Sequence, residues 1–282
     1  MINLKKANNN NSTVLNNLKS VPYISFKSLD ETGLVINGFS TRVGGVSNGI
    51  FKSMNLGYGR GDSDENVTEN HKIIANAMGF DYRRIVTTNQ THTTNIRIVS
   101  ENDAGKGIIC LRDYHDIDGL ITNVPNLPLA TYYADCVPLY ILDPVNNVIG
   151  LSHSGWKGTV NRIGFKTIEL MHKTYGSEAK NLIVCIGPSI CQDCYEVGED
   201  VAARFKENFS KDCIDNILIY KGNEKYLLNL WEACREIFIE AGVDNSNISI
   251  TDICTCCNKE YLFSHRGLNG KRGNLAAFLM LK

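Results

Sequence analysis

Three short stretches of this 282-residue chain each carry one metal-competent side chain in or beside strand-like sequence: NQTH at 89–92, YADC at 133–136 and LSHSGWKG at 151–158. His92, Cys136 and His153 together offer two imidazole nitrogens and a thiolate. These donors suit zinc, and three protein donors leave the fourth tetrahedral position open for chemistry. A single thiolate leaves the ion net positive, which favours ionisation of a bound water toward neutral pH. No compact metal-binding spacing joins the three residues. Taken singly, each histidine also reads as a satisfied polar group, and Cys136 as a buried thiol.

Other residues carry two readings each. Lys157, just past His153 and expected at the start of a helix, adds a point charge for an anion or lies on the outer helix face. Arg42, in the Gly-rich loop TRVGGVSNG (41–49), meets a phosphate or shapes that loop; Gly44 and Gly45 serve its turn. Asn55 points into the site or caps a turn. Asp135 hydrogen-bonds a ligand residue or fixes a strand end, and Trp156 stacks on a base or packs in the core. Cys191 and Cys194 form a C-x2-C pair. Together with Cys254 or Cys257 they offer a second zinc site, a reading weakened by the gap of about 60 residues. His71 and His172 read as helix-surface residues, and His115 as part of a polar loop.

The elements that must position these groups follow from pattern. Residues 33–39 read as a strand. Residues 64–79 read as a helix capped by Asp64 and ended by Gly79, with apolar positions 67, 73, 74, 77 and 78 near one stripe. Strand-like runs recur at 84–92, 95–99, 127–142, 147–155, 182–190 and 248–255. Helices are predicted over 157–175, 196–209 and 229–241, and the closing LAAFLML is a strand or a short helix. Strands and helices mix without strict alternation. That predicts a mixed α/β (α+β) single domain over 21–282, with mixed β-sheets flanked by helices and a flexible polar segment at 1–20.

Composition narrows the classes. A formal net charge of −1 with no basic stripe argues against nucleic-acid tracking. The longest apolar runs fall short of the ~20 residues that a membrane helix needs. The opening MINLKKANNNNSTVLNN lacks the apolar core of a secretory signal. Ten cysteines in such a chain suggest a reducing compartment, so a cytoplasmic location is expected and the thiols read as buried side chains or metal ligands.

The surrounding words resemble those of the YfiH-like purine nucleoside phosphorylases, also known as laccase-domain proteins. They are GFSTRVGGVS (38–47), SMNLG (53–57), NQTH (89–92), DGLIT (118–122), YADCVPLYILDP (133–144), HSGWKGT (153–159), IGPSICQDCYEVGEDV (186–201) and CT followed by FSHRG (254–267). They run in family order along nearly the whole chain. The resemblance implies that His92, Cys136 and His153 are the metal ligands. Lys157 stands where the family usually has arginine. A family Tyr-Arg-Arg word is His265, Arg266, Gly267 here, keeping one arginine.

The activity so implied is the splitting of adenosine, guanosine or inosine, and methylthioadenosine by phosphate into base and ribose 1-phosphate, with deamination of adenosine besides. Cys136, His153 and Lys157 are then the expected catalytic residues, with Arg42, Asn55 and Arg266 on substrate and Zn2+ as cofactor. Four other readings stay open: a copper-dependent polyphenol oxidase, a hydrolase editing peptidoglycan precursors, a Cys-His amidohydrolase with Cys136 as nucleophile and His153 as base, and a nucleoside-binding protein without catalysis. The fold also resembles that of the cytotoxic necrotizing factor deamidase domain. Six histidines, two of them in the constellation, argue against several copper centres, although copper outcompetes zinc in raw affinity.

Overall fold

The structure is a computed structural model that describes every residue except Met1, Asn9, Lys19 and Ser20. In chain order its strands are β1 (Thr13–Leu18), β2 (Val21–Phe26), β3 (Val35–Ser40), β4 (Val86–Thr87), β5 (Ile96–Ile98), β6 (Gly119–Thr122), β7 (Leu129–Tyr133), β8 (Val137–Asp143) and β9 (Val148–Ser154). They continue as β10 (Ile183–Ile186), β11 (Glu196–Gly198), β12 (Leu218–Gly222), β13 (Lys225–Leu228), β14 (Ile248–Ile250) and β15 (Leu275–Leu281). One sheet has the order β1-β2-β3-β15-β7-β4, the second β14-β10-β8-β9-β6-β5, and a small third β11-β13-β12. Both large sheets are mixed: β4 runs parallel to β7 and β5 parallel to β6, while β15 and β8 pair antiparallel with their neighbours.

Alternation along the strands explains the layering. Tyr140 and Leu142 of β8 face a core shared with Phe26, Phe39 and Leu279 of the first sheet. Leu139 and Ile141 face the opposite way, onto Ile168 and Met171 of helix Ile163–Tyr175 and Phe238 of helix Leu230–Glu240. Ala130 and Phe278 of the first sheet pack outward against Ile74 and Met78 of helix Asp64–Met78. Such period-2 partition is what a strand buried on both faces requires. The result is two sheets face to face with helices outside each, the mixed α/β single domain expected from the sequence.

Several boundaries differ from expectation. Helix Asp64–Met78 is capped by the Ser63 hydroxyl, which accepts from the Asn66 N–H; Asp64 lies within the first turn. The expected helix over 157–175 is broken: Trp156–Val160 makes one turn, Arg162 takes φ 66°, and a new helix starts at Ile163. Residues 196–198 leave the predicted 196–209 helix to pair with β13. The run at 127–142 is two strands separated by Asp135, whose φ of 92° no strand can contain. The strand expected at 84–92 keeps only Val86–Thr87, and that at 248–255 only Ile248–Ile250.

Within the segment read as flexible, Thr13–Leu18 pairs antiparallel with β2, while Met1, Asn9, Lys19 and Ser20 lie outside the described residues. Polar side chains tie this segment down: the Ser12 hydroxyl donates to the Ile250 carbonyl at 2.6 Å and that of Thr13 to Asp252 at 3.2 Å. Hydrophobic patterning does not register such contacts.

His71 is likewise not a surface residue. It is fully buried, stacks on Tyr58, donates from Nδ1 to the Val67 carbonyl and accepts at Nε2 from the Tyr132 hydroxyl. Burial holds it neutral, lowering its pKa from 6.5 to about 4. The unfolded chain therefore binds a proton that the folded chain refuses, and stability falls as pH drops from 6.5 toward 4. This group is expected to cost about 2 kcal/mol between pH 7 and pH 5. Urea unfolding at the two pH values checks it: His71→Gln should show a smaller loss than the unsubstituted protein, and equal losses would contradict the assignment.

Candidate metal centre and cavity

The three metal-competent residues converge at places where the chain passes between the two large sheets. Cys136 ends the Ala134-Asp135-Cys136 connection from β7 in one sheet to β8 in the other. His92 lies in another such connection, from β4 to β5, with φ 65°. His153 is near the end of β9, in register with Pro138 of β8. One ligand atom from each lies within 4.8 Å of the others, and His92 Nε2 is 3.9 Å from Cys136 Sγ. A tetrahedral zinc with Zn–S about 2.3 Å and Zn–N about 2.05 Å would set those two atoms about 3.6 Å apart. Gly155 lets the strands come this close: a Cβ there would sit 2.9 Å from the His92 ring and 3.1 Å from Cys136 Sγ.

Asp118, just before β6, holds the arrangement. Its carboxylate accepts from the backbone N–H groups of Thr91, His92 and Thr93, from the Thr93 hydroxyl at 3.0 Å and from His153 Nδ1 at 2.7 Å. The His153 N–H donates to the Asp118 carbonyl at 2.7 Å. Nδ1 thus keeps its proton on Asp118 and Nε2 faces the cluster, the orientation a carboxylate imposes on a metal-ligating histidine. Burial pushes the Asp118 carboxyl up, but the hydrogen bond and charge of His153 and the backbone donors outweigh it, so it stays below its usual value. Burial also opposes charge on Cys136 and His153. Their mutual attraction prevails, with Asp118 behind His153 and His92 beside Cys136: the thiol comes down to about 6 and the imidazole rises to about 9. A thiolate is therefore present at neutral pH, the form that binds metals.

The cluster opens on two adjoining cavities, of about 290 and 610 Å³, which share His92, Asp135, Cys136, Trp156, Ile190 and Tyr195. Lys157 lines the smaller, its ammonium 5.7 Å from the Trp156 ring centre. Arg266 lines the larger, with its guanidinium over Tyr195 and donating to the Glu196 carbonyl. Two expected substrate contacts stand elsewhere. Arg42 is absent from both linings; it donates to the Lys52 and Lys259 carbonyls and stacks on Phe263. Asn55 is fully buried and closes a turn, accepting from the Gly57 and Asn274 N–H groups and donating to Asp62. Asp135 fixes the crossing by accepting from the Thr255 hydroxyl at 2.6 Å and the Arg266 N–H at 2.7 Å. His115 and His172 are exposed, as expected.

Sequence reading missed Asp118 as a site residue, although DGLIT was visible, and three further cavity arginines, Arg60, Arg112 and Arg272. Burial and the charge of Arg60 both lower the pKa of Arg272. Two guanidiniums facing one cavity make a seat for an anion. They come from the GYGRGD and NGKRGN loops, where no local pattern marks them.

The fold and site define a mixed α/β protein with one His/Cys metal-competent cluster on the floor of a cation-lined cavity. The chain belongs to the family described as multi-copper polyphenol oxidoreductase laccase, which matches residues 36–282. It is 36% identical over 253 residues to the purine nucleoside phosphorylase YlmD of Bacillus subtilis (strain 168), covering 88% of this chain and 89% of that one. It is 35% identical over 247 residues to a purine nucleoside phosphorylase of Deinococcus radiodurans, covering 88% and 89%. The crystal structure of the Bacillus licheniformis hypothetical protein YfiH aligns with a TM-score of 0.90 at 32% identity, covering 96% of this chain and all of that one. The family resemblance drawn from the motifs holds.

Asp118→Asn tests the orienting carboxylate. The amide loses charge and can present an N–H to Nδ1, so His153 is pushed to the other tautomer. Added zinc should bind about 10–100-fold more weakly by competition with a chromophoric chelator. Unchanged affinity in a folded variant would remove Asp118 from that role.

Proposed function

We propose that the chain is a zinc-dependent purine nucleoside phosphorylase that cleaves adenosine, guanosine or inosine, and methylthioadenosine with phosphate, and that also deaminates adenosine. The observation that carries this reading is the His92/Cys136/His153 cluster opening onto a cavity lined by arginines and aromatic rings. Its relatives named purine nucleoside phosphorylase support it. In phosphorolysis a phosphate oxygen bonds to the ribose C1′ while the bond from C1′ to the purine nitrogen breaks and its electron pair leaves with the base. Arg60, Arg112, Arg266 and Arg272 of the larger cavity and Lys157 of the smaller are cations available to hold the phosphate and offset its charge. Trp156 and Tyr195, shared by both cavities, offer faces for the purine.

The donor set fits zinc: two imidazoles, a thiolate at neutral pH and an open fourth position. Zinc bound there supplies Lewis acidity. Asp118 fixes the His153 tautomer, and Gly155 keeps the floor of the site clear. Phenol oxidation through several coppers fits less well. Of the other histidines, His71 is buried beneath the first sheet, His115 and His172 lie on the surface, and His265 lines the cavity wall. None joins the His92/Cys136/His153 cluster among the described residues. The Cys136–His153 pair also has the form of a nucleophile and its base; metal content separates that reading, because a nucleophile works without zinc. No helix among the described residues is long and apolar enough to cross a membrane, and all ten cysteines are free. We place the enzyme in the cytoplasm.

Chromatography of products from adenosine tests the proposal. With phosphate, adenine and ribose 1-phosphate are expected; without it, inosine. Neither product from zinc-loaded protein would refute it. Lys157→Ala should raise the apparent KM for phosphate about 5-fold, as expected for loss of a charge contact worth about 1 kcal/mol at an exposed position. Deamination uses no phosphate and should change less than about 2-fold. Equal losses in both reactions, or none, would take Lys157 out of the site.

A further inference from the structure

Away from the cavity floor, four cysteines meet. The loop after β10 carries Cys191 and Cys194, and the turn after β14 carries Cys254 and Cys257. The two segments are held side by side by the Ser189–Cys254 bridge and by the Thr255 N–H donating to the Ser189 carbonyl at 3.0 Å. All four sulfurs lie within 4.8 Å of one another, with Cys194 Sγ 3.5 Å and Cys191 Sγ 4.0 Å from Cys257 Sγ. In a tetrahedral zinc site with Zn–S about 2.3 Å, sulfurs stand about 3.8 Å apart. The Cys254 sulfur also accepts the backbone N–H groups of Cys191 at 3.2 Å and Cys257 at 3.4 Å. Such donors stabilise sulfur in its anionic, metal-binding form. A disulfide would use two of the sulfurs; here four converge and none is bonded to another.

We propose that Cys191, Cys194, Cys254 and Cys257 bind a second zinc ion, structural and closed. Four thiolates fill a tetrahedral shell and leave no position for substrate. The sequence pattern alone is weak because the two C-x2-C pairs are far apart in the chain; the parallel bridge between their segments is what unites them.

The site has a task in this fold. The first loop presents Ile190 and Tyr195 to the cavity, and the Ile190 N–H donates to the Asp135 carbonyl at 3.0 Å. The second presents the Thr255 hydroxyl to the Asp135 carboxylate, beside Cys136. An ion joining the two loops therefore staples one wall of the cavity and steadies the strained Asp135. It needs neither the phosphorylase reading nor the identity of the metal at the first cluster.

Native mass spectrometry and elemental analysis of the unsubstituted protein, purified without added metal, test the proposal. Two zinc ions per chain are expected. His92→Ala, at an exposed position, should lower the count to one and leave the second ion in place. Cys194→Ser/Cys257→Ser should also lower it to one, and with it the melting temperature. Cobalt-loaded His92→Ala protein should keep the strong sulfur-to-cobalt charge-transfer absorption of a tetrathiolate. No zinc in the unsubstituted protein, or a single zinc that His92→Ala removes, overturns the proposal, as does iron in place of zinc or a disulfide among these cysteines. So does a second ion that survives the paired cysteine substitution. If the cysteine variant fails to fold, the counts for the unsubstituted and His92→Ala proteins, with the cobalt spectrum, still decide the matter. A single zinc in the unsubstituted protein that survives His92→Ala would count against the catalytic metal reading alone.

Discussion

A buried carboxylate organises this molecule's chemistry. Asp118 is wholly out of solvent, and a charge there is tolerable only because hydrogen-bond donors surround it. Those donors come from the crossing loop that carries His92 and from His153 at the end of β9. One charge thus fixes the fold of the loop, the direction of one imidazole and the place of the other. It also supports the ionisation of Cys136, since an imidazolium held by Asp118 stands beside the thiol. Losing Asp118 would leave loop N–H groups without a partner as well as misdirecting a side chain.

The site's position follows from topology. Two sheets packed face to face must be joined by connections that leave one and enter the other, and at such crossings regular pairing stops. Here the crossings hold His92 and Asp135, both at positive φ, and Cys136 follows at once. Backbone strain of this kind persists where surrounding contacts determine it. For Asp135 those contacts are the Thr255 hydroxyl and the N–H groups of Ile190 and Arg266, from segments widely separated in the chain. The cavity wall and the crossing are therefore parts of one arrangement, with the four-cysteine cluster on its far side.

Much of this was legible in the sequence where a signal was local and apolar. Helix Asp64–Met78 and the mixed-sheet class follow from periodicity and element order, while the closing apolar run, open between strand and helix in the sequence, is strand Leu275–Leu281. His92, Cys136 and His153 were identifiable through their surrounding words, and the structure brings them together. What patterning missed was polar and nonlocal. His71 and Asn70 are buried polar residues on a helix face that a hydrophobic stripe cannot mark. Arg42 and Asn55 had the residue types of substrate contacts but are spent on loop carbonyls and a turn. Arg60 and Arg272 meet only after folding, and the break at Arg162 gives no hydrophobic sign of itself.

The central claim is that His92, Cys136 and His153 hold one zinc ion with His153 bound through Nε2. The most direct measurement is a crystal structure of protein purified without added metal, with anomalous diffraction recorded above and below the zinc edge. The account predicts an anomalous peak about 2.3 Å from Cys136 Sγ and about 2.0–2.1 Å from His92 Nε2 and His153 Nε2, with Asp118 on His153 Nδ1. Fully active crystals with no peak at that position, or with the peak displaced from any of the three side chains, would contradict it.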